Sequence, residues 1–62
     1  MKSHTRKTII RIWNRIEASD PEISTEQLFA RTCEDATRLF KFKVDSSLVA
    51  EALKEHSETA TA

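Results

Sequence analysis

The chain has 62 residues, with ten basic and ten acidic side chains, no glycine, one proline and one cysteine. From this length we expect one domain, with a core only just large enough to offset chain entropy, and no second domain. Because the formal charge is zero, the chain as a whole has no long-range electrostatic attraction to nucleic acid or to an anionic membrane. Any electrostatic function therefore has to rest on a local group of charges.

Composition also predicts the compartment and the fold class. Cys33 is the single cysteine and cannot form an internal disulfide, which favours a reducing, cytoplasmic location. No apolar run approaches the roughly 20 residues of a membrane-spanning helix, and the N-terminal segment has no apolar stretch typical of a secretory signal. Because tight turns with positive φ favour glycine, its absence favours helices over hairpins. We therefore predict an all-α cytoplasmic protein without a membrane partner.

The first predicted helix covers about residues 5–19. Its apolar stripe has spacings of three and four residues and consists of Ile9, Ile12, Trp13 and Ile16. Pro21 ends the helix because a proline disfavours the α conformation in the residue before it. Ile10 lies off the stripe, and we interpret it either as an exposed apolar residue or as part of a subunit contact.

The second predicted helix covers about residues 25–40. Ser24 and Gln27 have the spacing of a capping box, and Ile23 and Leu28 have that of a hydrophobic staple. Glu34 and Arg38, four residues apart, are expected to pair. The predicted buried face consists of Phe29, Cys33, Ala36 and Phe40, flanked by Leu28 and Leu39.

The third predicted helix covers about residues 46–56. Asp45 is a favourable N-cap, and Val44 with Val49 repeats the staple spacing. The residues expected to face inward are Leu48, Val49, Ala52 and Leu53. The last six residues have nothing to bury and are expected to be disordered. The sequence thus predicts a compact three-helix bundle in a single domain, residues 1–56, followed by a flexible tail, residues 57–62.

Between the second and third helices, Phe40, Phe42 and Val44 alternate with Lys41 and Lys43. This period of two is typical of a half-buried strand. Since no second strand-like segment is present to pair with it, a strand would need another molecule. We favour an extended connector that buries Phe42 and Val44 and leaves both lysines in water near the negative end of the second helix.

A basic segment opens the chain and is the main candidate contact surface. The first sixteen residues contain five cationic side chains and no acidic ones: Lys2, Arg6, Lys7, Arg11 and Arg15. Cations spaced four residues apart repel one another, and cations near a helix N-terminus oppose the helix dipole. A bound anion, either a phosphate or an acidic protein surface, would compensate these costs. The alternative is a solvated face paired with nearby acids. Lys41 and Lys43 are possible secondary contacts.

A helix-turn-helix arrangement is the DNA-binding alternative. The exposed positions expected on the third helix offer one base, Lys54, against three acids, Glu51, Glu55 and Glu58. Such a helix would be repelled by phosphates. If DNA is bound, we expect the first helix to contact phosphates rather than the third helix to read bases.

The chain offers no set of residues for catalysis. Cys33 has no basic residue in its own helical turn to lower its pKa, which argues against a nucleophile. Together with His4 and His56 it provides three potential metal ligands, fewer than the four of a structural zinc site. A chain of this size can hardly enclose a pocket. We therefore expect no enzyme activity, no cofactor, no metal and no small-molecule substrate.

Binding is the function that remains. The sequence favours a small regulatory protein that binds a protein partner. The partner can be a second copy of the same chain, since small domains often complete their cores by pairing. The alternative is a DNA-associated regulator that contacts phosphates through the basic face of the first helix.

Overall fold

A computed structural model describes the backbone of residues 2–61 and the side chains of residues 2–58. It contains three helices, α1 (Ser3–Ser19), α2 (Thr25–Phe40) and α3 (Ser46–Thr61), and no strand occurs within the described range. Each helix packs against the other two. The predicted all-α fold and the compact three-helix bundle are confirmed.

The starts of α2 and α3 are where the capping residues predicted them. The backbone N–H of Gln27 donates to the Ser24 hydroxyl at 3.3 Å, and the N–H of Leu48 donates to Asp45 Oδ1 at 3.0 Å. These bonds satisfy N–H groups that have no partner within their own helix. α2 has the predicted bounds, and α1 begins two residues before the predicted start at residue 5.

The end of α3 differs from the prediction. The helix continues to Thr61, whereas the sequence pattern predicted an end near His56. Residues 57–61 contain no glycine or proline, so the backbone has no local reason to stop even though the apolar pattern has ended. The prediction of a disordered tail also covers Ala62 and the side chains of residues 59–61, which lie outside the described part of the chain.

The core lies where α1 meets both other helices. Ile9, Ala36, Val49 and Ala52 are fully buried. Ile10 is also buried in this cluster, so the interpretation of Ile10 as an exposed or subunit-contact residue was wrong. Because α1 packs against two helices, its apolar arc is wide enough to bury two consecutive residues.

The buried face of α2 is rotated relative to the prediction. Leu28, Thr32 and Ala36 are buried, whereas Phe29, Cys33 and Phe40 pack at the edge of the core and remain partly accessible. Trp13, from the predicted apolar stripe of α1, is partly buried and meets Phe29 edge to face with ring centroids 4.9 Å apart. Leu39 is 61 % exposed.

The segment after α2 is a connector, as predicted. Lys41 ends the helix in the left-handed conformation, with φ of 62°. Val44 is buried, whereas Phe42 is 49 % exposed and stacks on Phe40. The predicted burial of Val44 is therefore confirmed, and that of Phe42 was wrong because its ring lies against a neighbouring aromatic side chain at the edge of the bundle.

Candidate functional site

The predicted basic residues of α1 divide into two sets. Lys7, Arg11 and Arg15 are exposed and follow one another at intervals of four residues, so they form a line along the solvent side of the helix. Lys2 and Arg6 are also four residues apart, but helical geometry places them on the side that carries the core residue Ile9. Arg6 is accordingly half-buried, while Lys2, ahead of the helix, is exposed.

The N-terminus of α1 carries the electrostatic cost that the sequence predicted. Lys2 occupies the N-cap position without a capping bond from its side chain, and the first turn contains no acidic residue. Thr8 donates its hydroxyl hydrogen to the His4 carbonyl at 2.9 Å, a local bond that does not satisfy the free N–H groups of the first turn.

The secondary lysines lie apart from α1 in sequence and in environment. Lys41 is the C-cap of α2 and Lys43 follows in the connector, and both side chains are exposed. Their charges lie close to the negative end of the α2 dipole, which is a stabilising arrangement. This local role accounts for the pair without a bound ligand.

An open groove of about 780 Å³ lies between α1 and α2. Its apolar lining consists of Ile12 and Ile16 from α1, both half-buried, and Leu39 from α2, which is 61 % exposed. Leu39 is exposed next to other apolar side chains. Such a group indicates a contact surface more strongly than an isolated exposed apolar side chain does. We refer to this feature as the α1/α2 groove.

The charged lining of the α1/α2 groove has both signs. It consists of three arginines, Arg15, Arg31 and Arg38, and two carboxylates, Glu34 and Asp35. The predicted pair is present, with Arg38 Nη2 at 3.6 Å from Glu34 Oε1. Both side chains are well exposed, so the pair contributes little to stability and is available to reorganise around a partner.

The groove was missed by the sequence patterns, although one signal was present. Leu28, Thr32 and Leu39 fall on one line of α2 at spacings of four and seven residues, yet only the first two are buried. Leu39 continues the line of the buried residues Leu28 and Thr32 but is itself exposed. It therefore marks the point at which the other helices no longer cover α2. Of the predicted basic residues, only Arg15 lies in this groove.

A second, more open depression lies between α2 and α3. It includes Phe29, Ala30 and Cys33 from α2 and Ala50 from α3. Burial raises the pKa of the Cys33 thiol above its ordinary value, and the nearby Asp45 carboxylate raises the pKa further. Because both effects favour the protonated thiol, Cys33 is poorly suited to act as a nucleophile.

Within residues 2–61 there is no group of three or more His, Cys, Asp or Glu side chains placed to hold a metal ion. None of the helices described here is both long and apolar enough to cross a bilayer.

Comparison of the chain with protein-family models, with curated proteins and with solved structures gives no match. The function therefore has to be inferred from the geometry of this molecule.

Proposed function

We propose that this protein is a small cytoplasmic interaction module that regulates by binding another protein in the α1/α2 groove. The observation that carries the proposal is the 61 % exposure of Leu39 beside Ile12 and Ile16 in an open groove. Binding an apolar partner there would remove this surface from water, which is the main favourable contribution to protein association.

The shape of the groove suits a helical partner. Its walls are two helices, and its lining combines apolar with charged side chains. Amphipathic helices bind in this way, inserting apolar residues at spacings of three and four into a groove between helices. An anchor near Leu39 would be shielded from water by the charged side chains around it.

The same openness argues against catalysis. Sites that stabilise charged transition states exclude water from the reacting groups, and small ligands need a cavity that buries most of their surface. The α1/α2 groove is open to solvent. We therefore propose binding without chemistry and without a cofactor.

Site-specific photo-crosslinking tests this proposal. A photoreactive phenylalanine analogue would replace Leu39 in cells that produce the protein, and the matched control would carry it at Ala30. Ala30 is exposed, and nine residues at about 100° each place it on the opposite side of α2. We expect discrete protein adducts from position 39 at several times the yield from position 30. Equal yields, or no adducts, would contradict the proposal.

A second function is favoured by a different observation. The exposed line of Lys7, Arg11 and Arg15 is a surface on which DNA phosphates could bind without sequence readout. Such binding would weaken steeply with salt. A proton–nitrogen NMR titration with a random-sequence DNA duplex at low and moderate salt would reveal it as shifts in residues 2–15 that collapse with salt.

Charge reversal separates the two functions. Lys7 and Arg11 are not part of the lining of the α1/α2 groove, so the double variant Lys7→Glu, Arg11→Glu should abolish binding to DNA and leave the crosslinks from position 39 in place. DNA binding that survives the double reversal would remove the second function.

A further inference from the structure

We infer that the occupant of the α1/α2 groove is the same groove of a second copy of this chain, related by a two-fold axis. This inference rests on the proposed function, because it identifies the protein partner of that surface. In the resulting dimer, Leu39 of each copy lies over Ile12 and Ile16 of the other.

The first support is a line of residues along one side of α2 that is only partly buried and carries a leucine at each end. Leu28, Thr32, Asp35 and Leu39 follow one another at spacings of four, three and four residues, the repeat with which helices pair along a seam. The N-terminal half of this line is buried in the bundle, while Asp35 and Leu39 are exposed. The α2 helix of a second copy would cover this exposed half.

The second support is charge complementarity of the groove with itself. A two-fold interface presents the same surface twice, so each charged group has to meet its opposite on an identical surface. Arg31, Glu34, Asp35 and Arg38 place both signs within two turns of α2. When two such helices approach antiparallel, Asp35 of one copy can meet Arg38 of the other, and the reciprocal pair forms by symmetry.

The third support is the overall charge and size. The formal charge is zero, so two copies approach without net repulsion. A specific interface takes roughly 800 Å² from each partner, about one sixth of the 4659 Å² accessible surface of this chain. A small domain gains from the additional apolar burial.

Sedimentation of the purified chain tests the inference directly. Over about 5 to 500 μM, the range in which weak dimers dissociate, we expect a reversible shift from one to two copies. Leu39→Asp should weaken self-association at least tenfold by placing a charge in the apolar contact. Ala30→Asp, which introduces the same charge on the opposite side of α2, should leave it unchanged. Both positions are exposed, and circular dichroism would verify that both variants fold.

A charge exchange provides a test that does not depend on the apolar contact. One variant would carry Glu34→Arg and Asp35→Arg, and the other Arg31→Glu and Arg38→Glu. Each variant alone should remain monomeric because like charges meet across the axis. An equimolar mixture should form a heterodimer, detected by native mass spectrometry, because opposite charges meet again.

The results distinguish this inference from the proposed function. A purified chain that stays monomeric to 500 μM, or a dimer that withstands Leu39→Asp, overturns the two-fold dimer. In that case, crosslinks from position 39 to a different protein would still uphold the proposed function. Crosslinked adducts of twice the chain mass from position 39, together with dissociation by Leu39→Asp, support both.

Discussion

The hydroxyl of Thr37 and the backbone of Val44 exchange two hydrogen bonds. The N–H of Val44 donates to Thr37 Oγ1 at 2.8 Å, and Thr37 Oγ1 donates to the Val44 carbonyl at 3.3 Å. The Thr37 carbonyl also accepts the N–H of Lys41 at 2.9 Å. One threonine thus satisfies backbone groups at both ends of the connector and holds Val44 in the core, in place of a partner strand.

Thr37→Val should destabilise the fold. The substitution removes both bonds to Val44 and leaves its partly buried N–H without a partner, which costs about 1–3 kcal/mol. Urea unfolding followed by circular dichroism would measure the loss. Thr37→Ser retains the hydroxyl and should lose less. A larger loss from Thr37→Ser than from Thr37→Val would show that the methyl group, not the hydrogen bonds, holds the connector.

Thr32→Val should have the opposite effect. Thr32 is fully buried, and its hydroxyl has no hydrogen-bond partner in the structure. Replacing the hydroxyl with a methyl group of similar shape removes a desolvation penalty, so the free energy of unfolding should rise by about 1 kcal/mol. The same urea experiment applies. Thr32→Ser keeps the hydroxyl, removes a core methyl, and should destabilise.

Lys41→Gly should stabilise the protein. Lys41 is the one non-glycine residue with positive φ in the described chain, and that conformation costs a side chain with a Cβ on the order of 1 kcal/mol. Glycine avoids this cost but loses more chain entropy on folding, so we expect a net gain of about 0.5 kcal/mol. Lys43→Gly, at a position without positive φ, is the matched control and should destabilise.

Asp45→Asn should increase the reactivity of Cys33. Burial is the main reason that the pKa of the thiol is raised, and the charge of Asp45 raises it further. Asparagine keeps the N-cap but removes the charge, so the pKa falls, the thiolate fraction grows, and alkylation by iodoacetamide at pH 8 becomes faster. The rate should stay below that of the urea-unfolded chain because burial remains. An unchanged rate would show that Asp45 does not influence the thiol.

Asp45→Ala separates the cap from the charge. This variant should also speed alkylation of folded Cys33, but it loses the bond to the Leu48 N–H and about 1 kcal/mol of stability. The comparison with Asp45→Asn therefore shows how much of the change in reactivity comes from the charge and how much from a loosened helix start.

The local sequence determined the starts of α2 and α3 and the bounds of α2. Ser24 and Asp45 cap the helices that follow them, and Pro21 follows the end of α1. These signals act within a few residues along the chain, so they can be read without knowledge of the fold. The four-residue spacing of Lys7, Arg11 and Arg15 likewise predicted a basic line on one side of α1, and these residues are exposed together.

Only the tertiary structure decided which parts of the apolar arcs are covered. Ile10 is buried because α1 packs against two helices, and Thr32 is buried because α2 is rotated relative to the simplest apolar face. Leu39 continues a buried line and is nevertheless exposed. Helical periodicity gives the direction of a side chain, but burial depends on whether another helix extends far enough to cover it. The α1/α2 groove arises where that cover ends.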